Sequence, residues 1–451
     1  MLGRFKQFVA GQHLFSSEQT VLLAVSGGRD SVCLAHLMHS AGFRFAVAHC
    51  NFHLRPGDCD RDQRFVEALA ARLGVEFHTV DFDTSAFASA HAMGVEEAAR
   101  SLRYGWFAGL AARCGYLCLA TAHHRDDSVE SMLLNLVRGT GLHGLHGIRP
   151  ANRGTLWPAP SGGLLRLDVV HPMLPFSRAD IDRYVADNGL DYVEDVTNAV
   201  PDVRRNRVRL QLMPLLRQLN PDADRVLADT MERLAEAEVL YNERVAELSP
   251  TVVATCRSPF GYDYSAVDIG RLLALRPQLT LAHELLTPFG FSAAQIADLL
   301  RRLGTAVTGA CFASATHEAV VDRGRLLLRR SGVLPPPSVS VTEAAPGPLR
   351  HEAAPVCLSE LVDADCVALP LRLRPWAGGD RFQPLGMDRP RLVSDFIKDR
   401  KLSLLDKRRL FMLEDACGRP VWLVGLRLDH RVRITASTTR ALSLKASFNP
   451  S

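Results

Sequence analysis

A strand, a glycine turn and a helix start follow one another near the beginning of the chain, where residues 21–38 read VLLAVSGGRDSVCLAHLM. The apolar run 21–25 is typical of a buried strand, and the apolar residues of 32–38 have helical spacing. Two glycines between them let backbone N–H groups approach an anion closely, and a helix N-terminus adds partial positive charge. The stretch therefore predicts a phosphate-binding turn.

This turn is not a Walker A loop, because the chain lacks the G-x-x-x-x-G-K-[ST] pattern there and no lysine follows. Without a lysine to hold terminal phosphates, the more natural task is to hold a departing pyrophosphate. Asp30 is a candidate ligand for Mg²⁺ between phosphates. An ordinary strand-to-helix turn with a serine cap is the alternative. The predicted phosphate-binding residues are Ser26, Gly27, Gly28, Arg29, Asp30 and Ser31.

Strand and helix patterns alternate beyond this turn. Further strands are predicted at 45–48, 75–82 and 116–120, and helices at 31–40, 58–73 and 96–113. Such alternation requires crossover connections, so we expect an α/β fold with a parallel sheet covered by helices on both faces. Ligands of such sheets bind outside the carboxyl ends of the strands.

Length and composition indicate a soluble protein of several domains. The chain has 451 residues, of which 47% are hydrophobic and 23% charged, with a net charge of +4. These values exclude a disordered, collagen-like or disulfide-stapled chain. We predict a catalytic domain at 1–215, a mainly helical domain at 216–332 that includes a hairpin near 319–328, a linker at 333–348, and a small α+β domain at 349–451.

Several features favour the cytoplasm. The ten cysteines contain no C-x-x-C pair and are typical of thiols in a reducing compartment. No apolar run is long enough for a membrane helix. The basic, amphipathic first fifteen residues leave a transit peptide as the alternative.

A second polar motif follows the fourth predicted strand, where residues 120–130 read ATAHHRDDSVE. Three carboxylates near one helix start exceed what capping needs, although capping is the alternative. Carboxylates bind hard cations or an ammonium group, and histidines transfer protons. Zinc is less favoured, since a third soft ligand is missing at suitable spacing. The predicted catalytic residues are His123, His124, Asp126, Asp127 and Glu130, with Asp30 and Asp127 as metal ligands.

Two basic segments are candidate RNA-binding surfaces. One is the run 204–209; the other is 371–433, which holds fifteen Lys or Arg against eight Asp or Glu. Such local excess suits phosphate contacts on RNA, and a solvated basic face is the alternative. The predicted RNA-binding residues are Arg204, Arg205, Arg207, Arg209, Arg381, Lys398, Arg400 and Lys401.

The motif at 26–31 resembles the PP-loop of ATP pyrophosphatases. Residues 49–55, 96–104, 120–148, 177–216 and 378–397 resemble the tRNA(Ile)-lysidine synthetases within that family. This resemblance implies ATP and Mg²⁺ as cofactors. It also implies adenylation of the C2 oxygen of the wobble cytidine in tRNA(Ile) with a CAU anticodon, followed by attack of free L-lysine at that carbon. One departure is His171, where the family pattern leads us to expect arginine.

Other functions stay open from the sequence. Sulfur-transferring PP-loop enzymes commonly use paired cysteines, and amidotransferase-linked synthetases need a glutaminase. A non-catalytic tRNA-binding protein with a degenerate nucleotide fold is a third alternative, although the acids at 30, 126, 127 and 130 are all present. The resemblance implies no membrane partner and leaves a homodimer open.

Overall fold

The computed structural model describes residues 1–53, 58–158, 162–194, 204–346, 357–400 and 402–448. The chain divides into two compact units, Met1–Leu240 and Tyr241–Ser451. No helix among the described residues is long and apolar enough to cross a membrane.

The first unit alternates strands and helices along its described residues. Its strands are β1 (Val21–Ala24), β2 (Phe45–Asn51), β3 (Phe77–Asp81), β4 (Leu119–Ala120), β5 (Ala151–Pro158) and β6 (Leu164–Val170). Its helices are α1 (Leu2–Gly11), α2 (Arg29–Ala41), α3 (Asp58–Leu73), α4 (Thr84–Ala90), α5 (Val95–Cys114), α6 (Arg125–Arg138), α7 (Leu142–Leu145), α8 (Arg178–Asp187), α9 (Arg204–Arg207) and α10 (Met213–Leu219). The next helix, α11 (Ala223–Val252), begins in the first unit and continues into the second. A π-helical turn, Val208–Leu212, separates α9 from α10.

The strands form one sheet in the order β3-β2-β1-β4-β6-β5. β1 pairs in parallel with both β2 and β4, and only β5 runs antiparallel to its neighbour among the pairs described. Leu23 of β1 packs with α2 on one face, while Leu22 packs with α5 on the other. Burying each such leucine contributes about 1.5–3 kcal/mol. The predicted parallel sheet with helices on both faces is confirmed.

Two local predictions in this unit need correction. The predicted strand at 116–120 is reduced to Leu119–Ala120. The predicted strands did not include β5, which occupies Ala151–Pro158 and pairs with β6. Most of its side chains are not buried, so backbone pairing with β6 is what keeps it a strand. Its sequence therefore lacks the apolar pattern by which a buried strand is predicted.

The second unit combines helices with several smaller sheets. Its helices are α12 (Ile269–Ala274), α13 (Gln278–Leu286), α14 (Ala293–Leu303), α15 (Val393–Asp399) and α16 (Leu404–Lys407). Its strands are β7 (Val253–Arg257), β8 (Asp263–Asp268), β9 (Cys311–Ala313), β10 (His317–Asp322), β11 (Arg325–Arg330), β12 (Ser338–Ala344), β13 (Ser359–Asp363), β14 (Arg372–Pro375), β15 (Arg381–Phe382), β16 (Arg391–Leu392), β17 (Phe411–Glu414), β18 (Pro420–Leu423), β19 (Arg427–Leu428) and β20 (Ala441–Ser447).

The sheets of this unit follow the orders β7-β8-β11-β10-β9, β12-β20-β13, β14-β17-β18-β19 and β15-β16. The hairpin predicted near 319–328 is confirmed by β10 and β11. The stretch 333–348 was predicted as a linker, and this is wrong for Ser338–Ala344. That segment is β12, which pairs along its whole length with β20 about a hundred residues later. The other predicted domain limits stay predictions.

Candidate active site

The serine–glycine turn lies at the carboxyl end of β1, directly before α2. Gly27 has a φ of +90°, and a Cβ there would lie 3.3 Å from the Cγ2 atom of Val66. The Ser31 hydroxyl donates to the Gly28 carbonyl at 2.8 Å, and the Gly28 N–H donates to the Ser26 hydroxyl at 3.3 Å. Ser26 is exposed to solvent. The turn is therefore accessible, and only a glycine suits its second position.

Arg29 has partners within its own unit. Its guanidinium forms an ion pair with Asp182 and lies over the ring of Tyr192, with Cζ 4.8 Å from the ring centroid. The hydrogen bond to Asp182 raises the pKa of Arg29. These contacts hold α8 and the segment after it against the start of α2. The phosphate contact expected for the Arg29 side chain stays a prediction.

Asp30 connects the turn to the acidic motif. One carboxylate oxygen accepts a 2.6 Å hydrogen bond from the Nη1 atom of Arg178, and the other lies 3.9 Å from the Nε2 atom of His124. The His124 side chain is 1% exposed. Neither of its ring nitrogens makes a hydrogen bond to another described residue. Leaving a buried polar group unsatisfied costs about 1–3 kcal/mol, so His124 is poised to bind a ligand at this position.

The acidic motif forms the start of α6, which follows β4 at the same edge of the sheet. Asp127 Oδ2 accepts from the His124 backbone N–H at 3.0 Å, and Oδ1 accepts from Arg205 Nη2 at 2.9 Å. Burial by itself would raise the pKa of Asp127. The charges of His124 and Arg205, together with that N–H bond, outweigh burial and lower it. Asp127 is therefore ionised at neutral pH.

The other two acids of the motif have different surroundings. Glu130 is buried and accepts hydrogen bonds from Arg205 at 2.9 Å and from Arg209 at 2.7 Å. Asp126 accepts from the Arg178 backbone N–H at 3.2 Å, while its other oxygen is buried without a hydrogen-bond partner among the described residues. Burial raises the pKa of Asp126. The motif thus contains two carboxylates that are charge-paired and one that is a stronger base than usual.

His123 belongs to a separate polar cluster. Thr121 Oγ1 lies 2.8 Å from His123 Nδ1 and 2.7 Å from His171 Nδ1. Burial lowers the pKa of His123 to about 4 and that of His171 to about 3. Both imidazoles are therefore neutral at neutral pH. His171, the departure from the family pattern, occupies this position as a buried neutral ring.

The motif at 49–55 begins in the last residues of β2 and contacts the backbone next to the turn. His49 is buried and its Nδ1 atom lies 2.9 Å from the carbonyl oxygen of Val25, the residue before Ser26. His53 Nε2 lies 2.8 Å from Asp81 Oδ1 at the end of β3. Residues 54 and 55 of this motif lie outside the described residues. His49 therefore fixes the backbone at the mouth of the turn.

A cavity of about 160 Å³ opens beside the acidic helix start. Its lining residues are His124, Asp126, Glu130, Arg178, Arg209, Met213, Arg217 and Asp224. Sequence patterns missed Arg178, Arg217 and Asp224 as members of this site. One local sequence feature marks Arg178, because it follows the serine that caps α8. In the sequence, Arg217 and Asp224 look like ordinary charged residues on a helix surface.

The predicted tRNA-binding residues fall into two groups. Arg205 and Arg209 form ion pairs with Asp127 and Glu130, so these carboxylates balance a large part of their positive charge. Arg207 lies on α9 and is exposed. In the second unit, the side chains of the remaining described members are exposed: Arg381, Lys398 and Arg400. The Arg204 side chain and Lys401 lie outside the described residues. RNA contact stays a prediction for all eight.

The chain is similar in sequence to known proteins of one family. Residues 2–216 match the model of a PP-loop domain, and residues 262–331 match that of a TilS substrate binding domain. A tRNA(Ile)-lysidine synthase of Bacteroides thetaiotaomicron is 36% identical over 98% of this chain and 99% of its own length. The chain belongs to the tRNA(Ile)-lysidine synthase family. Proteins of the same name from Parabacteroides distasonis and Porphyromonas gingivalis are 35% and 32% identical, covering 98% and 96% of this chain and 99% and 96% of their own lengths.

Membership of the tRNA(Ile)-lysidine synthase family confirms the resemblance drawn from the motifs. The relatives match across both units, so the likeness is not confined to the nucleotide-binding turn. It also confirms that the chain is an enzyme of the PP-loop class, which removes the support for a non-catalytic tRNA-binding protein. The sulfur-transferring and amidotransferase-linked alternatives lose their support for the same reason.

Proposed function

We propose that this protein joins free L-lysine to C2 of the wobble cytidine in tRNA(Ile) with a CAU anticodon, consuming ATP. The proposal rests on the observation that two motifs lie at the same edge of the sheet. There the exposed serine–glycine turn and the acidic start of α6 meet through Asp30, His124 and Asp127. A nucleotide on the turn is thereby placed beside carboxylates and imidazoles that can serve a second reactant.

In the first step, the C2 oxygen of the cytosine attacks the α-phosphorus of ATP and pyrophosphate leaves. The turn 26–31 holds the phosphates through its hydroxyls and the first amides of α2. His124 is buried, and its ring nitrogens make no hydrogen bond to a described residue. It faces this region and is a donor for the oxygen atoms that gain charge. The neutral pair His123 and His171 lies against Thr121, beside the same motif.

Mg²⁺ fits the donor atoms of this site. Asp30 Oδ2 and Asp127 Oδ2 lie 3.9 and 3.3 Å from the same atom, His124 Nε2, so two hard oxygen ligands face one region. Asp30 and Asp127 would hold the ion, and the ion would neutralise charge on the pyrophosphate. Arg178 already balances part of the Asp30 charge at 2.6 Å.

In the second step, the amine of lysine displaces AMP from C2. An ammonium group has a reference pKa of about 10.4 and is not nucleophilic until it loses a proton. We assign lysine to the cavity of about 160 Å³ beside α6. Asp126 lines it with a buried oxygen that accepts no hydrogen bond from a described residue, and burial raises its pKa, so it is suited to take that proton. Arg217 lines the same cavity, where it pairs with Asp224 at 2.7 Å, and is suited to the lysine carboxylate.

The tRNA must present its cytidine out of the anticodon stack, at a cost of a few kcal/mol. Basic residues supply binding energy for this through phosphate contacts. We assign such contacts to the exposed Arg381, Lys398 and Arg400 of the second unit. We place the reaction in the cytoplasm, where tRNA, ATP and lysine occur together. A homodimer stays a prediction that light scattering of the purified protein tests.

The decisive experiment incubates the full-length protein with ATP, isotopically labelled lysine and tRNA(Ile) bearing CAU, and analyses the nucleosides by mass spectrometry. Elongator tRNA(Met), which carries the same anticodon, is the matched control substrate. We expect label in one modified cytidine of tRNA(Ile), with one pyrophosphate released for each lysine incorporated. Unlabelled nucleosides together with tight tRNA binding would refute the enzymatic proposal.

A further inference from the structure

A histidine–carboxylate cluster lies on α7, just after it and on α11, and none of its residues lines the cavity that we assign to lysine. His143 and His146 are on and just after α7, three residues apart, and Glu238 is on α11. His143 Nδ1 lies 3.0 Å from Glu238 Oε1, and His146 Nε2 lies 3.3 Å from Glu238 Oε2. The three ligand atoms all lie within 4.8 Å of one another. His146 and Glu238 are buried, whereas His143 is exposed.

The acceptor atoms of this cluster already converge on one cation, the guanidinium of Arg149. Its Nη2 atom lies 2.6 Å from Glu238 Oε2 and 3.1 Å from His143 Nδ1. Its Nε atom donates to His146 Nε2 at 3.1 Å. The arginine side chain is 40% exposed, so it can swing into solvent without opening the core. The cluster therefore already binds a cationic group, and that group, the Arg149 guanidinium, can be displaced.

We propose that His143, His146 and Glu238 bind a divalent transition-metal ion of the Zn²⁺ class, which takes the place of the Arg149 guanidinium. Zinc–ligand bonds of about 2.0–2.1 Å in a tetrahedron require ligand atoms about 3.3 Å apart. His143 Nδ1 lies 3.0 Å from one Glu238 oxygen and His146 Nε2 lies 3.3 Å from the other, each within about 0.3 Å of that value. Two imidazole nitrogens favour zinc over Mg²⁺, which prefers oxygen ligands. Water completes the fourth position.

A further observation supports this site. The segment that carries the ligands is anchored to α6. The Ile148 N–H donates to the Ser128 hydroxyl at 2.8 Å, and a Cβ on Gly147 would lie 2.2 Å from the Met231 side chain. A bound ion would therefore clamp α7 and α11 together next to the helix that carries Asp127.

The test measures zinc binding by the full-length protein with calorimetry, and follows Co²⁺ as a probe through its visible absorption in tetrahedral sites. We expect one zinc per chain and a tetrahedral Co²⁺ spectrum. His143→Ala should weaken zinc binding at least tenfold, because it removes one of three ligands. His143 is exposed, so this change leaves the folded core intact, which circular dichroism verifies. Arg149→Ala should strengthen binding, since the competing cation is gone.

A matched control is His91→Ala, another exposed histidine that lies outside the cluster. It should bind zinc as the wild type does. The proposal is overturned if the wild type takes up no zinc. It is also overturned if His143→Ala and His91→Ala bind zinc equally, which would place the ion elsewhere, or if Arg149→Ala weakens binding. None of these measurements depends on lysine ligation. The metal-site proposal and the proposed function are therefore tested independently, and either can be refuted without the other.

Discussion

Replacing Gly27 by alanine tests whether the tight turn after β1 is the nucleotide site. The residue has a φ of +90°, and a φ in the left-handed region costs a non-glycine residue about 1–2 kcal/mol. The added Cβ would also lie 3.3 Å from Val66 Cγ2, whose side chain is fully buried and cannot move freely. Overpacking of this kind costs about 1–3 kcal/mol more.

Gly42→Ala is the matched control for this change. Gly42 also has a positive φ, +78°, but a Cβ there meets nothing within 4 Å. It follows α2 at the opposite end from the turn, so the control keeps the backbone cost and removes the steric one. The difference of about 1–3 kcal/mol corresponds to a melting temperature about 2–12 °C lower for Gly27→Ala than for Gly42→Ala.

The two variants should differ more in nucleotide binding than in stability. Relief of the Val66 contact requires the turn to move, which displaces the hydroxyls and amides that face the phosphates. We expect Gly27→Ala to lose measurable ATP binding by calorimetry at a temperature where it is folded, while Gly42→Ala binds as the wild type does. Equal ATP affinity in the two variants would refute the assignment of the turn.

Three further predictions concern the acids, the basic surface and the buried histidines. Asp127→Ala should abolish lysidine formation while tRNA binding in a filter assay persists, and normal modification by this variant would contradict its role. Lys398→Glu with Arg400→Glu should weaken tRNA binding roughly tenfold or more and flatten its salt dependence, with ATP affinity unchanged; an unaltered tRNA affinity would exclude this surface. Because burial lowers the pKa of His171 to about 3, the unfolded chain binds more protons below pH 6.5, and stability falls as the pH drops. His171→Gln should lose less stability between pH 7 and pH 5 than the wild type in urea unfolding, and an equal loss would count against a buried neutral imidazole.

The N-terminal sheet and its serine–glycine turn were predictable because their signals are local. The apolar runs of β1 and β2 and the helical spacing of α3 each lie within a few residues, and burial on both faces requires them. β5 and β12 escaped prediction, since each is stabilised mainly by backbone pairing with a partner strand and carries mostly exposed side chains.

By itself the sequence determined the family, the turn at 26–31 and the group of acids at the start of α6, because each depends on neighbouring residues in a short motif. Only the tertiary structure decided how those acids differ. Arg205 and Arg209, read as RNA-binding residues, neutralise Asp127 and Glu130 from more than seventy residues away. Asp126 is left as the carboxylate with a raised pKa, because charge and burial act through space and not along the chain.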